Sequence, residues 1–190
     1  MARSQRQREL YAAAADLFRT KGYHGTSLQD LAEALGMQRG SLYAHMEKKE
    51  ELLHRITLEA AQAFLSALEP LWETPASPAE RLEKAFLAHA RVVADHLSAA
   101  SVFFHEWQHL QGEARDEILS LRRRYEALWR RLVKEAFPHA DEGLAVRWIL
   151  GGLNWMYQWY RPEGPMSPEE LAHRFYRFAI QGIGGIDNGG

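Results

Sequence analysis

Residues 105–109 read His-Glu-Trp-Gln-His, the spacing of a zinc-dependent hydrolase helix. Two histidines four apart share a helix face and can hold zinc, with Glu106 as general base. On a wheel at about 100° per residue, Phe103, Phe104, Trp107 and Leu110 gather on one side. His105 and His109 lie roughly opposite, on the polar face. The segment is short, and no third ligand signature follows it. A chance match is the simpler reading, and a helical metal-dependent hydrolase stands as the alternative function. No metal ligand is assigned.

A second set of side chains carries different chemistry. Gln38, Arg39, Ser41, Tyr43 and His45 are hydrogen-bonding groups of the kind that read base edges or grip phosphates. The elements that must position them are legible nearby. Leu28, Leu31, Ala32 and Leu35 fall at i, i+3, i+4 and i+7, one face of a helix. Thr26 precedes that run with Gln29 three residues on, a spacing that predicts a capping box. Gly36 ends the helix, because glycine takes a left-handed conformation without a Cβ penalty. A second short helix is predicted from about 38 to 45, with Leu42 as its buried anchor. Small Ala32 lets the pair approach closely. Two helices and a tight turn place one helix in the DNA major groove. The same pattern also serves an ordinary helical hairpin, so a helical adaptor without a DNA role stays open.

Gly22, Tyr23, Thr26, Ser27, Leu31, Ala32, Gly36, Gly40, Leu42, Tyr43, His45, Lys49 and Glu50 together resemble the N-terminal domain of the TetR family of bacterial repressors. The resemblance covers about the first fifty-five residues. It implies a helix-turn-helix domain over 1–50 and a DNA-facing set of Thr26, Ser27, Gln38, Arg39, Gly40, Ser41, Tyr43, His45 and Lys49. Within that set Tyr43, His45 and Lys49 are expected on phosphates, and Gln38, Arg39 and Ser41 nearest the bases. Gln38 departs from the family pattern, which has a small helix cap there. Met46 replaces a phenylalanine, a change in packing.

The 190 residues carry 23 Lys and Arg against 25 Asp and Glu, a net charge of −2, with 46% hydrophobic residues and no cysteine. That composition supports a real core and excludes disulfides, thiolate metal sites and cysteine nucleophiles. Residues 1–55 hold nine Lys and Arg and seven Asp and Glu, while the remainder is acidic. The asymmetry fits a small DNA footprint on a neutral body better than a general nucleic-acid coat. The N-terminus lacks an apolar signal core, and no apolar run approaches membrane-spanning length. A cytoplasmic protein with no membrane partner is expected.

Nearly everything else reads as helix, with no strand pattern and no internal repeat. Helices are predicted over about 4–21, 48–68, 78–96, 102–110, 113–137, 141–160 and 167–183. A break falls at 73–78 and a loop at Pro162, Gly164 and Pro165. Ser167 and Glu170 predict another capping box. The fold class is all-α, about nine helices: the helix-turn-helix domain, then a ligand-binding and dimerisation domain over 51–183. Residues 184–190 are expected to be disordered.

Trp148, Trp155 and Trp159 lie on one face of the penultimate helix, which Gly151 and Gly152 interrupt. Each glycine costs about 1 kcal/mol against alanine, so a close neighbour is expected there. Leu171, Phe175, Phe178 and Ala179 form a matching stripe on the last helix. An aromatic core stripe and a homodimer interface both fit. The segment NWMYQWYRPEGP resembles the branch of the family that senses acyl-CoA thioesters and controls fatty-acid, phenylacetate or steroid-ring degradation. That resemblance spans about 104–182 and implies a small-molecule effector, an acyl-CoA, rather than a bound cofactor. Phe86, Phe103, Phe104, Trp107, Tyr125, Trp129 and Trp155 would line its acyl cavity. Arg122, Arg123 and Arg161 would meet its phosphates, with Arg124, Arg130 and Arg131 as further candidates. A solvated helix face explains the same arginines. The reading is a homodimeric repressor, not an enzyme, that binds a palindromic double-stranded operator and leaves it when the effector binds.

Overall fold

The computed structural model describes residues 5–46, 48–73 and 75–186, with side chains described to residue 182, and everything regular among them is helical. Two compact units emerge: Met1–Ala61 with His96–Ser120, and Gln62–Asp95 with Leu121–Gly190. The units do not follow chain order, so residues 96–120 group with the N-terminal helices rather than with a body beginning at residue 51.

The first unit opens with α1 (Gln5–Lys21), α2 (Leu28–Ala34), α3 (Arg39–Leu42) and the start of α4 (Lys49–Leu68). Leu10, Ala14 and Phe18 of α1 are buried with Leu31 and Ala32 of α2, Leu42 of α3, and Leu52 and Leu53 of α4. Met46 is buried as well, so it fills an apolar position as expected. Helix α6 (Leu97–Ser101) packs on α1 and runs into a wide π turn, Val102–Glu106, and a 3₁₀ turn, Trp107–His109. The α-helix expected over 102–110 is therefore absent.

The second unit is built on α5 (Pro78–Asp95) and α10 (Pro168–Ile186), which pack along their lengths, with α8 (Glu142–Asn154) and α9 (Met156–Trp159) also against α5. Helix α7 (Gly112–Ala136) contributes its residues from Leu121 on. Starts and stops follow local chemistry. The Ser77 hydroxyl accepts from the Glu80 amide at 3.3 Å, and the Glu80 carboxylate accepts from the Ser77 amide at 2.8 Å, a capping box before Pro78. Asp141 caps α8 by accepting from the Leu144 amide at 3.0 Å. Ser167 accepts from the Glu170 amide at 3.2 Å, as the sequence predicts.

The helix expected over 141–160 breaks at Trp155 into α8 and α9. Gly152 has the close neighbour its sequence context predicts, since a Cβ there would stand 2.9 Å from the Phe175 ring. The stripe on the last helix splits. Leu171 and Ala179 are buried, whereas Phe178 is 59% exposed. The last helix runs to Ile186, so the tail expected to be disordered from 184 is helical in part; 187–190 lie outside the described residues.

Candidate nucleic-acid interface

The turn between α2 and α3 is built by backbone chemistry. Gly36 adopts φ +61°, its amide donates to the Glu33 carbonyl at 3.1 Å, and the Met37 amide donates to the Ala32 carbonyl at 2.9 Å. These two bonds complete a Schellman motif, which satisfies carbonyls that the helix end would otherwise orphan. Arg6 of α1 adds a third closure by donating to the Leu35 carbonyl at 3.2 Å. A cation at that end also suits the helix dipole.

The start of α2 differs from expectation. The cap is Ser27, not Thr26. The Ser27 hydroxyl accepts from the Asp30 amide at 3.1 Å, and the Asp30 carboxylate accepts from the Ser27 amide at 2.7 Å. Bonds from Lys21 and Ser27 hold the Asp30 carboxyl well below the usual carboxylate range. Thr26 is buried, and its hydroxyl donates to the Gly22 carbonyl at 2.9 Å. It therefore braces the turn after α1, with its side chain turned away from solvent. Both residues have a cap-forming side chain, so composition alone does not choose between them. The choice is made by Thr26 closing the preceding helix.

Helix α3 is a single turn. Its first residue follows an extended Gln38 that forms no side-chain cap, consistent with the missing small residue there. Leu42 anchors it in the core, while Gln38, Arg39, Gly40, Ser41 and Tyr43 are exposed and His45 is half-buried. The helix closes at Leu42, short of the expected residue 45, and Tyr43 to His45 form a turn whose His45 amide donates to the Leu42 carbonyl at 2.8 Å. With Leu42 as the buried anchor, five polar or glycine positions between 38 and 43 are exposed to solvent.

Lys49, expected on a phosphate, makes contacts within the chain. Its ammonium donates to the carbonyls of Tyr23 and Thr26, both at 2.7 Å, and lies 4.4 Å from the centre of the Tyr23 ring. Burial lowers its pKa. Two donors are spent on the turn after α1, so Lys49 fixes α4 to the reading head from inside.

The expected effector residues come together only in part. In the second unit, Phe86 and Trp129 meet edge to face at 5.5 Å, and Tyr125 lies 6.4 Å from Trp129. His89, which sequence reasoning missed, sits among them with Nδ1 2.7 Å from the Tyr125 hydroxyl. Burial pulls its pKa down to about 3 and pushes Tyr125 up. A lone histidine in the apolar stripe of α5 was the available signal. Phe103 and Phe104 lie side by side at 5.3 Å in the first unit, and Trp107 carries the Arg115 guanidinium 5.4 Å from its ring centre. Trp155 is 57% exposed, so it does not line an interior cavity of its unit.

Most of the arginines are engaged. Arg124 pairs with Glu69, Arg130 with Glu126 and Arg131 with Glu135. Arg161 donates to the carbonyls of Gln158 and Tyr160. Burial lowers the Arg122 pKa. Arg123 is exposed.

The zinc-protease spelling does not build its site. Glu106 is buried, and its carboxylate accepts from the Tyr23 amide at 2.7 Å. A carboxylate committed to a backbone amide is not poised as a general base for water. His105 is exposed, whereas His109 faces His24. Among the described residues no group of three or more histidine, cysteine or carboxylate side chains is placed to hold a metal ion.

A capped first helix, a Schellman turn and an anchored second helix with an exposed polar surface define a helix-turn-helix transcriptional regulator. Residues 10–56 match the family described as bacterial regulatory proteins, tetR family, and residues 75–183 match the tetracyclin repressor-like C-terminal domain. The chain belongs to the TetR family, whose members are regulators rather than enzymes. Similar proteins agree along nearly the full length. The transcriptional repressor KstR2 of Mycobacterium tuberculosis is 25% identical over 187 residues, 95% of this chain and 94% of that one. The TetR family regulator PfmR from Thermus thermophilus is 36% identical, with a TM-score of 0.82 over 92% of this chain and 98% of that one. AibR, solved with isovaleryl coenzyme A and operator DNA, is 27% identical, with a TM-score of 0.78 over 90% of this chain and 96% of that one. No helix among the described residues is long and apolar enough to cross a membrane.

Proposed function

We propose that this regulator represses transcription as a homodimer on a palindromic operator and is released by an acyl-CoA thioester. The observation that carries the DNA half is the outward surface of Gln38, Arg39, Gly40, Ser41 and Tyr43 on a helix anchored by Leu42. Two such heads, one helical turn of DNA apart (about 34 Å), would read successive major grooves.

The dimer rests on apolar surface. Leu144, Trp148, Trp155, Trp159 and Phe178 on α8 to α10 are all exposed. A lone soluble chain rarely carries so many large apolar groups in one region, and a second copy would cover them. The effector class rests on AibR, which binds isovaleryl coenzyme A, together with the aromatic content of the second unit and the arginines at 122, 123 and 161. An acyl-CoA that binds the released state more tightly than the DNA-bound one shifts the population off the operator. Large aromatic side chains favour a long chain or a ring such as phenylacetyl over acetyl.

The test is a DNA-release titration with a panel of acyl-CoAs, the matching free acids and CoA alone. Release by a thioester at lower concentration than its free acid is expected, because the acid lacks the phosphates. Release by free acids alone overturns the assignment of the arginines. Release by nothing in the panel removes the effector class and leaves the repressor.

A further inference from the structure

The contact between the turn after α1 and the 3₁₀ turn after α6 is more than packing. The His24 Nε2 and the His109 Nδ1 face each other at 3.1 Å, with the rings at 76° and their centres 4.3 Å apart. Two Zn–N bonds of about 2.05 Å at a tetrahedral angle place their nitrogens about 3.3 Å apart. The two nitrogens share one hydrogen bond, and its length is within a few tenths of an ångström of the spacing that two ligands of one ion require. The other nitrogen of His109, Nε2, lies 3.7 Å from the Glu106 carboxylate. That carboxylate faces the ring nitrogen that His24 does not. A carboxylate on the second nitrogen orients metal-binding imidazoles, and Glu106 is the carboxylate within ion-pair reach of that nitrogen. The Tyr23 ring, stacked on His109 at 5.7 Å and 17°, and the Glu106 bond to the Tyr23 amide fix the rest of the geometry.

We infer that His24 and His109 form a two-imidazole site for a divalent transition-metal ion, with water completing the coordination. Imidazole selects zinc, nickel and copper over magnesium or calcium. His24 is exposed and the His109 side chain partly so, which leaves room for water ligands and for entry of the ion. Both residues belong to the first unit. The bound ion would staple the entrance of the helix-turn-helix to the segment that follows α6. The site uses only the last histidine of the HEWQH sequence and leaves His105 out.

The test uses the full chain without a histidine tag, stripped with chelator and titrated calorimetrically with Zn²⁺ and with Ni²⁺. One ion per chain is expected. His24→Ala and His109→Ala should each weaken binding by more than about tenfold, and Glu106→Gln by about tenfold. His105→Ala should bind as the parent does. A thermal melt guards against misfolding: Zn²⁺ should raise the melting temperature of the parent and of His105→Ala, and leave that of His24→Ala unmoved. Absence of saturable binding by the parent overturns the inference. So does binding retained in full by His24→Ala, or binding lost in His105→Ala, which would assign the ion to the 105–109 pair instead.

Discussion

Arg39 stands on the outward surface of α3, away from the core that Leu42 anchors. Its guanidinium is the side chain best suited there to a bidentate contact with guanine. Arg39→Ala should cost about 1–3 kcal/mol on the cognate operator and little on random DNA. Equal loss on both duplexes would make it a phosphate contact. The buried His89 supports a prediction about pH. Its pKa falls to about 3 because burial disfavours the charged ring. The unfolded chain binds that proton near pH 6.5, so stability is complete above that value. Between about 6.5 and 3 it is lost on acidification at about 1.4 kcal/mol per pH unit. His89→Phe should flatten that part of the profile when urea melts are compared across pH, with any packing change at the position entering as a constant offset. An unchanged slope would show that His89 is not neutral in the native chain. Residue types around 38–45 were legible because exposure there follows from one apolar anchor. The partners of Lys49 and Thr26 were not, because carbonyls that accept a bond leave no trace in a sequence.

Gly36 holds the two reading helices at their angle through a positive φ. Nothing lies within 4 Å of a Cβ built there, so a substitution meets no steric clash. Gly36→Ala should therefore destabilise the chain by the left-handed backbone cost alone, about 1 kcal/mol. A denaturant midpoint that does not move would show that the turn relaxes to another conformation. Element boundaries were largely legible, because Ser77, Asp141 and Ser167 mark their helices with cap chemistry and Gly22 and Gly36 end theirs at positive φ. Two places were not. The segment 102–109 carries no break signal, so its π and 3₁₀ turns were not read, nor was the burial of Glu106 on the Tyr23 amide. The break at Trp155 carries no glycine or proline of its own. Both α8 and α9 pack on α5, a tertiary contact that the local sequence does not signal.

For the molecule as a whole, the apolar surface on α8 to α10 makes assembly the largest consequence not contained in one chain. Phe178, at 59% exposure, is a residue whose change leaves the unit's own core untouched. Phe178→Glu should convert the dimer into a folded monomer in sedimentation, with helicity retained, and should weaken operator binding along with it. A parent protein that sediments as a stable monomer at micromolar concentration would remove the dimer from the account. The class of fold was legible from periodicity and turn signals, and the function from the first fifty-five residues. The effector was not, since an acyl pocket needs only generic apolar and basic side chains that a core and a solvated helix also use. The central claim is that the α3 surface reads DNA in duplicate. Selection of bound duplexes from a random-sequence pool by the purified chain, followed by sequencing, tests it most directly. The account predicts enrichment of an inverted repeat whose half-sites lie one helical turn apart, lost with Arg39→Ala. Failure to enrich any sequence, or enrichment of a single asymmetric site untouched by Arg39→Ala, would contradict it.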